Sequence, residues 1–496
     1  MRKVIISAAP LFPIVISLMA GILLGERLQV GTSLWPLFAI GVVAVVVTHR
    51  WAVVQSVAIL TSVLLLGLLL VGYECESLLR YSYDGQQRQH ALVIVSEGTE
   101  KERTVAFDVL LAENGRKLKC YLQKDERSLA LKPGDGVMAT IHIEENYDFR
   151  SGRFDYRDYL EKHGFAGRCY VRGYQWQRQQ VSLKKLSLLT RSRITFLRWR
   201  HSLLACYQLQ GATDDRYAVL AAMTLGDKSA LTRELRDIYS MTGASHVLAL
   251  SGLHLGILYL LLSRLTLGRR RSLWAQLVLL AGIWAFVFLV GLPTSVVRSA
   301  VMLTVFSVFT MGGRTYAPVN VLCFAALLIL IGNPYALFDV GFLLSFASML
   351  AIFLIMPLTE CWVSSLWIQR HSVRGAIWSA LAVSLAAQLG VAPLVAYYFG
   401  RFSCYFLLTN LLVLPAAYLI LLGALVMLLI PVPAVSAAVL WMVGTLNSTL
   451  GMLAQLPGAS IENLQPSQLQ VILVYIILML VYLALLRLNN VRLTNS

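Results

Sequence analysis

Residues 403–430 read SCYFLLTNLLVLPAAYLILLGALVMLLI, 28 positions without one charged side chain. A helix needs about 20 predominantly apolar residues to cross a bilayer. This stretch therefore puts part of the chain in a membrane, and its length with Pro415 inside predicts a tilted or broken helix. Outward from it, further apolar runs lie near 246–267, 273–292, 295–311, 317–331, 335–357, 376–399, 434–455 and 469–487, with three more before residue 74. Hydropathy thus gives about twelve spans. Composition agrees. Of 496 residues 57% are hydrophobic and 14% charged, against roughly 25% charged in a soluble domain. A single soluble core stops growing near about 250–300 residues, so a soluble enzyme is excluded for most of the chain. Met1-Arg2-Lys3 and the apolar run behind them look like a secretory leader. Without a small-residue cleavage site they are expected to form an uncleaved first span.

The expected fold class is a polytopic α-helical membrane protein with an inserted external β domain. Residues 1–73 form a three-span segment, 74–180 the β domain, 181–243 amphipathic interfacial helices and 244–496 a second membrane domain. Between Glu74 and Arg200 no run can cross a bilayer. His90–Glu97, Arg103–Glu113, Arg116–Gln123, Val137–Glu145 and Phe165–Trp176 read as strands, with a helix over Phe154–His163 before the last. Asn114-Gly115 predicts a type I′ hairpin. Five short strands with one helix before the last fit a small barrel of the OB type; another small barrel or sandwich is the alternative. Val181–Leu209 mixes Leu, Phe and Trp with six Lys and Arg, a composition suited to a membrane surface. Thr213-Asp214-Asp215 marks the start of a helix that Gly226 ends.

Charge then sets the orientation. Arg269-Arg270-Arg271, Arg314, the stretch 369–374 and Arg487 with Arg492 alternate with nearly uncharged loops. The positive-inside rule puts them in the cytoplasm, with both termini inside and residues 74–243 outside. The net charge is +16. Residues 74–149 carry 10 Lys and Arg against 14 Asp and Glu, whereas residues 150–200 carry 13 against 3. The positive excess therefore sits outside, where loop orientation does not explain it. Anionic headgroups are one partner for it. A nucleic acid is the other: Arg168, Arg172 and Arg178 alternate with Tyr170, Tyr174 and Trp176, and Lys184, Lys185, Arg191 and Arg193 follow. Bases stack on aromatics while cations neutralise phosphates.

Polar side chains inside apolar runs are costly and tend to face a cavity or one another. Thr242–Gly256 carries Ser245, His246, Ser251 and His254 among three glycines, which predicts a broken helix. A Ser251–His254 hydrolytic dyad and plain interhelical hydrogen bonding are the other readings. Arg298 and Asp339 each open an apolar span; if buried, they pair with each other or line water. Gln388 and Asn410 are further polar points, each followed by a proline. The two histidines stand eight apart without an acidic cluster, so neither a metal centre nor another cofactor is expected. Seven cysteines form no C-x-x-C pair, and Cys120 and Cys169 in the polar region are the possible disulfide.

Gly243-Ala-Ser-His-Val-Leu-Ala-Leu-Ser-Gly-Leu-His-Leu-Gly-Ile257 closely resembles the signature of the ComEC-type competence proteins. Pro133-Gly-Asp135, Phe154–Leu160, Leu225-Gly-Asp-Lys228, Val297–Met302, Asn333-Pro334 with Asp339–Phe346, and Asn410–Pro415 resemble the same family in the same order. The resemblance implies an inner-membrane channel that passes one DNA strand into the cytoplasm, with an OB-like domain presenting it. It places Ser245, His246, Ser251, His254, Arg298, Asp339 and Asn410 near the pathway; Gln388 joins them on its polarity alone. Many members carry a C-terminal metallo-β-lactamase-like domain; this sequence has no H-x-H-x-D-H motif and no P-loop. A separate DNA receptor, a separate nuclease and a cytoplasmic DNA-pulling ATPase are therefore the expected partners, beside single-stranded DNA and membrane lipids. A transporter or flippase for another anionic polymer or lipid is the second reading, and a membrane hydrolase using Ser251 and His254 the third.

Overall fold

The computed structural model describes residues 9–28, 32–79, 87–144, 150–151, 154–181, 186–265, 272–311, 317–359, 363 and 372–494. The chain opens with three helices, α1 (Leu11–Leu28), α2 (Trp35–Val47) and α3 (Ala52–Leu79). Helices α1 and α3 pack so closely that a Cβ on Gly21 would collide with the Leu64 carbonyl, and one on Gly67 with that of Leu18. Small residues permit such backbone contact where lipid gives no hydrophobic drive for association.

The β domain follows. Its strands are β1 (Arg88–Ile94), β2 (Thr99–Glu100), β3 (Thr104–Leu111), β4 (Lys117–Gln123), β5 (Gly136–Ile141), β6 (Arg150–Ser151), β7 (Phe154–Asp155), β8 (Phe165–Val171) and β9 (Trp176–Arg178). The short helices α4 (Glu126–Leu129) and α5 (Tyr156–Lys162) lie between them. The main sheet runs β8-β4-β3-β1-β5-β9, with β2 on β3, while β6 and β7 form a separate hairpin. Among the described residues only β4 and β8 pair in parallel. Past β5, Glu144 and Arg168 exchange backbone hydrogen bonds of 2.9 and 3.0 Å, so the chain after β5 also reaches β8. The inward faces form one apolar core that includes Leu92, Phe107, Leu118, Val137, Cys169 and Trp176.

Two local readings differ from expectation. The hairpin at Asn114-Gly115 exists, but only Gly115 has positive φ (71°), whereas a type I′ turn needs both central residues there. The loop is longer: Gly115 N–H reaches the Leu111 carbonyl, and Asn114 Oδ1 accepts from Arg116 N–H. The expected last strand is cut in two. Arg172–Gln175 make a turn closed by Gln175 N–H to the Arg172 carbonyl, and the chain resumes as β9 on β5.

Helix α6 (Leu188–Leu209) links the β domain to the membrane body. Leu186 and Ile194 pack with Val93, Val95 and Ala112 of the β domain. Arg198 donates to the Pro133 and Gly134 carbonyls at 3.3 and 2.8 Å. Further on, Phe196 meets Phe288, with ring centroids 5.6 Å apart. The segment is thus a bridge between the β domain and the membrane body.

The body continues through α7 (Asp214–Leu225), α8 (Arg233–Met241), α9 (Ser245–Leu248), α10 (Gly252–Leu265), α11 (Leu273–Leu289), α12 (Thr294–Met311), α13 (Pro318–Gly332), α14 (Val340–Thr359), α15 (Ser372–Phe399), α16 (Phe406–Leu429), α17 (Pro433–Gln455) and α18 (Gln468–Thr494). Among the described residues seven helices are long and apolar enough to cross a membrane, and five more are apolar but shorter. The chain is a helical membrane protein with a small sheet region. Among the described residues the helices of full span length number seven, fewer than the roughly twelve expected runs, since segments such as 273–289 and 318–332 stop short of 18 residues. Pro415 does not break α16, which runs unbroken through it; a helix within a bundle tolerates proline when its neighbours satisfy the freed groups.

Candidate nucleic-acid interface and membrane pathway

The outer site is built by strand register. Parallel pairing sets Cys120 opposite Cys169 and Tyr121 opposite Tyr170. Alternation turns the cysteines inward and the tyrosines outward. Cys120 and Cys169 are buried free thiols, and the hydrogen bond that holds the Cys169 S–H against Cys120, with burial, pushes the Cys169 thiol up. On the outward face Tyr121 and Tyr170 stack, with centroids 4.9 Å apart and planes at 15°. Lys101 lies 4.7 Å over Tyr121 and Arg168 lies 5.5 Å over Tyr170. Tyr121 is buried at 6% exposure, so only the outer ring, Tyr170, which is half exposed, is open to a base. Beyond it, Tyr174 is 77% exposed and accepts a 3.3 Å hydrogen bond from Arg172. Arg127 anchors this turn by donating to the Gly173 carbonyl at 2.6 Å. The result is an aromatic platform edged by guanidinium and ammonium groups.

Other basic residues singled out in the sequence are committed elsewhere. Trp176 is 3% exposed and belongs to the core, so it offers no ring to a base. Arg168 also pairs with Glu144 at 3.0 Å, and Arg178 with Asp135 at 2.9 Å. Arg191 donates to the Leu186 carbonyl. Arg193 is largely buried beside Asp108; burial lowers its pKa and Asp108 opposes that. Lys184 and Lys185 lie outside the described residues. Burial resists ionisation of Asp108, but Lys117 and Lys119 at 3.3 and 2.6 Å hold its carboxyl below the ordinary range.

At the junction with the membrane body, Arg200 of α6 faces Asp227 at 3.6 Å, both buried, and donates to the Val290 carbonyl at 3.3 Å. Glu97 of the β domain lies close by. Burial pushes its carboxyl up, and Arg200 and His201 oppose that. Arg200 thereby joins the β-domain side to Gly226-Asp227 and to the loop before α12.

The polar segment 242–256 is a broken helix. Between α9 and α10, Ala249 is extended. The Leu250 carbonyl, left without a helical partner by the break, accepts a 2.8 Å hydrogen bond from Ser295 Oγ of α12. Ser251 N–H and Oγ both lie 3.2 Å from His254 Nδ1. The imidazole thus closes the first turn of α10, and its buried Nε2 has no partner among the described residues. Ser245 and His246 are surface-exposed; His246 Nδ1 lies 3.0 Å from the Gly243 carbonyl. Gly243 packs against Ser403 and Phe406, which brings the start of α16 to this break. Asn410 Oδ1 and Thr409 Oγ1, in the first turns of α16, are also buried without partners among the described residues. Gln388 is half-buried on α15.

Arg298 and Asp339 come together. Arg298 is 5% exposed; its Nη1 donates to Asp339 Oδ2 at 3.0 Å and its Nη2 to Ser345 Oγ at 3.2 Å. Gly341 N–H donates to Asp339 Oδ1 at 2.9 Å. The pair ties α12 to the head of α14 beneath the β domain: Lys162 of α5 lies 4.2 Å over the Phe338 ring and 3.1 Å from Glu26. Sequence reading missed Tyr121, Lys101, Ser295 and Ser345. For Tyr121 the alternation Lys119, Tyr121 was visible, but its pairing with Tyr170 depends on a register 49 positions away.

The sequence of the membrane body, which holds the broken polar helix, is matched by a family model. Residues 223–488 fit the competence protein model, and the chain belongs to that family, with the features of the ComEC type. It is 30% identical to ComE operon protein 3 of Bacillus subtilis (strain 168) over 295 residues, 58% of this chain and 35% of that protein. An uncharacterized protein of Aquifex aeolicus (strain VF5) is 27% identical over 281 residues, 53% of this chain and 61% of the relative. The uncharacterized protein YcaI of Escherichia coli (strain K12) is 26% identical over 208 residues, 40% of this chain and 27% of the relative. The chain thus spans less than two thirds of each relative's length. No solved structure matches.

Proposed function

We propose that the protein is a channel of the cytoplasmic membrane that carries single-stranded DNA into the cytoplasm, with the β domain outside holding the strand and both termini inside. The single observation that carries this reading is the half-exposed Tyr170 ring, seated on buried Tyr121 and flanked by Arg168 and the exposed Arg172–Tyr174 pair. Successive bases stack on such rings regardless of sequence, and the cations follow the backbone. The strand order, with its one parallel pair and the Glu144–Arg168 bridge, supports an OB-type barrel. The seven long and five shorter apolar helices support a twelve-segment body. In it the broken helix at Ser251, with His254 and Asn410 and the Arg298–Asp339 pair, lines the route. Buried polar atoms without protein partners cost about 1–3 kcal/mol each unless water or a passing ligand serves them. His254 Nε2 and Asn410 Oδ1 are such atoms. The pulling force comes from a partner ATPase, since the sequence contains no P-loop, and a surface receptor delivers the DNA.

A second reading rests on α6. Leu188, Leu189 and Trp199 are exposed beside its cations, a pattern suited to anionic headgroups. Strand binding by the full-length protein in nanodiscs of neutral lipid separates the two. Steeply salt-dependent binding of an oligonucleotide supports the channel reading. Absent or salt-insensitive binding, together with capture of anionic vesicles, refutes it.

A further inference from the structure

We propose that Arg298 is a phosphate-exchange site: at rest Asp339 holds its guanidinium, and during transport a backbone phosphodiester of the strand takes the carboxylate's place. The proposal rests on the channel reading above.

The two partners are unequal. The Arg298 side chain is 6% exposed, that of Asp339 24%. The carboxylate can be released toward water while keeping its hydrogen bond from Gly341 N–H. The guanidinium has no such exit. Removing one partner of a buried pair leaves an uncompensated charge, which is strongly unfavourable. Only another anion can therefore take Asp339 from Arg298 without that penalty. A neutral solute or a cation cannot, so the pair opens for a polyanion and stays shut otherwise.

The guanidinium is shaped for such an exchange. Arginine offers five N–H donors in a planar fork that fits phosphate as well as carboxylate. Here Nη1 and Nη2 are used, while Nε is buried with no acceptor among the described residues. Ser345 would keep Nη2 oriented while the anion changes. The space beside the fork is kept open by Gly341, where a Cβ would lie 2.9 Å from Nη2 and 3.3 Å from Asp339 Oδ1. The pair joins α12, whose Ser295 holds the helix break, to the head of α14, so its release would loosen both.

The test uses full-length protein in proteoliposomes with an inside-positive potential and a fluorescent single-stranded oligonucleotide, scored as nuclease-protected label. Arg298→Gln should lower uptake at least about tenfold; Asp339→Asn should lower it too, because it leaves the buried guanidinium uncompensated, but by less, since a passing phosphodiester replaces the lost carboxylate. Outer binding of the strand should be unchanged in both. A purely structural pair predicts equal losses, and equal losses or the reverse order overturn the exchange. The parent gives a measurement that needs no variant. A strand with a phosphodiester leading half and an uncharged methylphosphonate trailing half should bind but stall, and its full passage also overturns the proposal. No uptake of an ordinary strand by the parent refutes the channel reading and the exchange with it.

Discussion

The β domain and the membrane body treat their cations in opposite ways. On the β domain, Arg172 and Arg168 stand against exposed or half-exposed rings at the surface. In the body and at its junction, Arg298 and Arg200 are buried, and each is matched to one carboxylate. Water screens the first group, so its members can meet phosphates anywhere along a strand at little cost. The second group has no water to fall back on, and its pairing is an obligation of burial. A large net charge therefore divides into a binding surface and a set of internal ties, and only the first is free to set affinity.

The sharpest way to break that division is to cut an internal tie. Arg200→Ala should destabilise the full-length protein by about 3–5 kcal/mol, since it strands Asp227 in a buried site. A thermal unfolding series in detergent measures this. Unchanged stability would mean that water reaches the junction freely. Next in size is Trp176→Ala, expected to cost about 3–5 kcal/mol at most through lost core packing. Tyr174→Ala, only two residues earlier, should leave the unfolding midpoint unchanged. If instead both weaken strand binding alone, Trp176 is not a core residue.

On the surface the effects should appear in binding. Tyr170→Ala should weaken single-strand affinity by about 1–3 kcal/mol, the value of one stacked base. Arg172→Gln should reduce the salt slope by about 0.7, as expected for one phosphate contact on a single strand. Both are read from titrations at several salt concentrations.

The smallest effect distinguishes two carboxyl groups by sign. Asp108 is held below its ordinary value, so its stabilisation is full above the unfolded value and is lost as pH falls through the folded one. Asp108→Asn should accordingly destabilise at pH 7 and hardly at all in acid. Glu97 is pushed up, so the protein favours its protonated form; its contribution is full below the unfolded value and is lost as pH rises through the folded one. Glu97→Gln should slightly raise the melting temperature at pH 7. Shifts of the same sign for both would contradict the contrast between surface and junction.

The sequence made the broad plan legible because it is written in local patterns. Apolar runs mark membrane helices, alternation marks strands, and the glycines and polar residues of 242–256 mark the break at Ala249–Ser251. The pairing of Arg298 with Asp339 was legible as an either-or, because two charges in apolar runs must find each other or water. What stayed hidden depends on register and long-range packing. Arg168, Arg172 and Trp176 share one stretch of sequence, yet one is tied to Glu144, one is exposed and one is core. The chain turns at Arg172–Gln175, which flips the alternation a reader would extend through Trp176. The end of α11 at Leu289, three residues before the apolar run stops at 292, was likewise invisible to hydropathy, since apolar loops and helix ends look alike.

Transport itself is decided by labelled-strand uptake into the cytosol of cells that lack the gene, with and without complementation by the full-length chain. The expected result is nuclease-protected single-stranded label only in complemented cells, reduced when Tyr170 and Arg172 are both replaced by alanine. Equal protected label in cells without the gene would contradict a DNA channel, whatever the β domain binds.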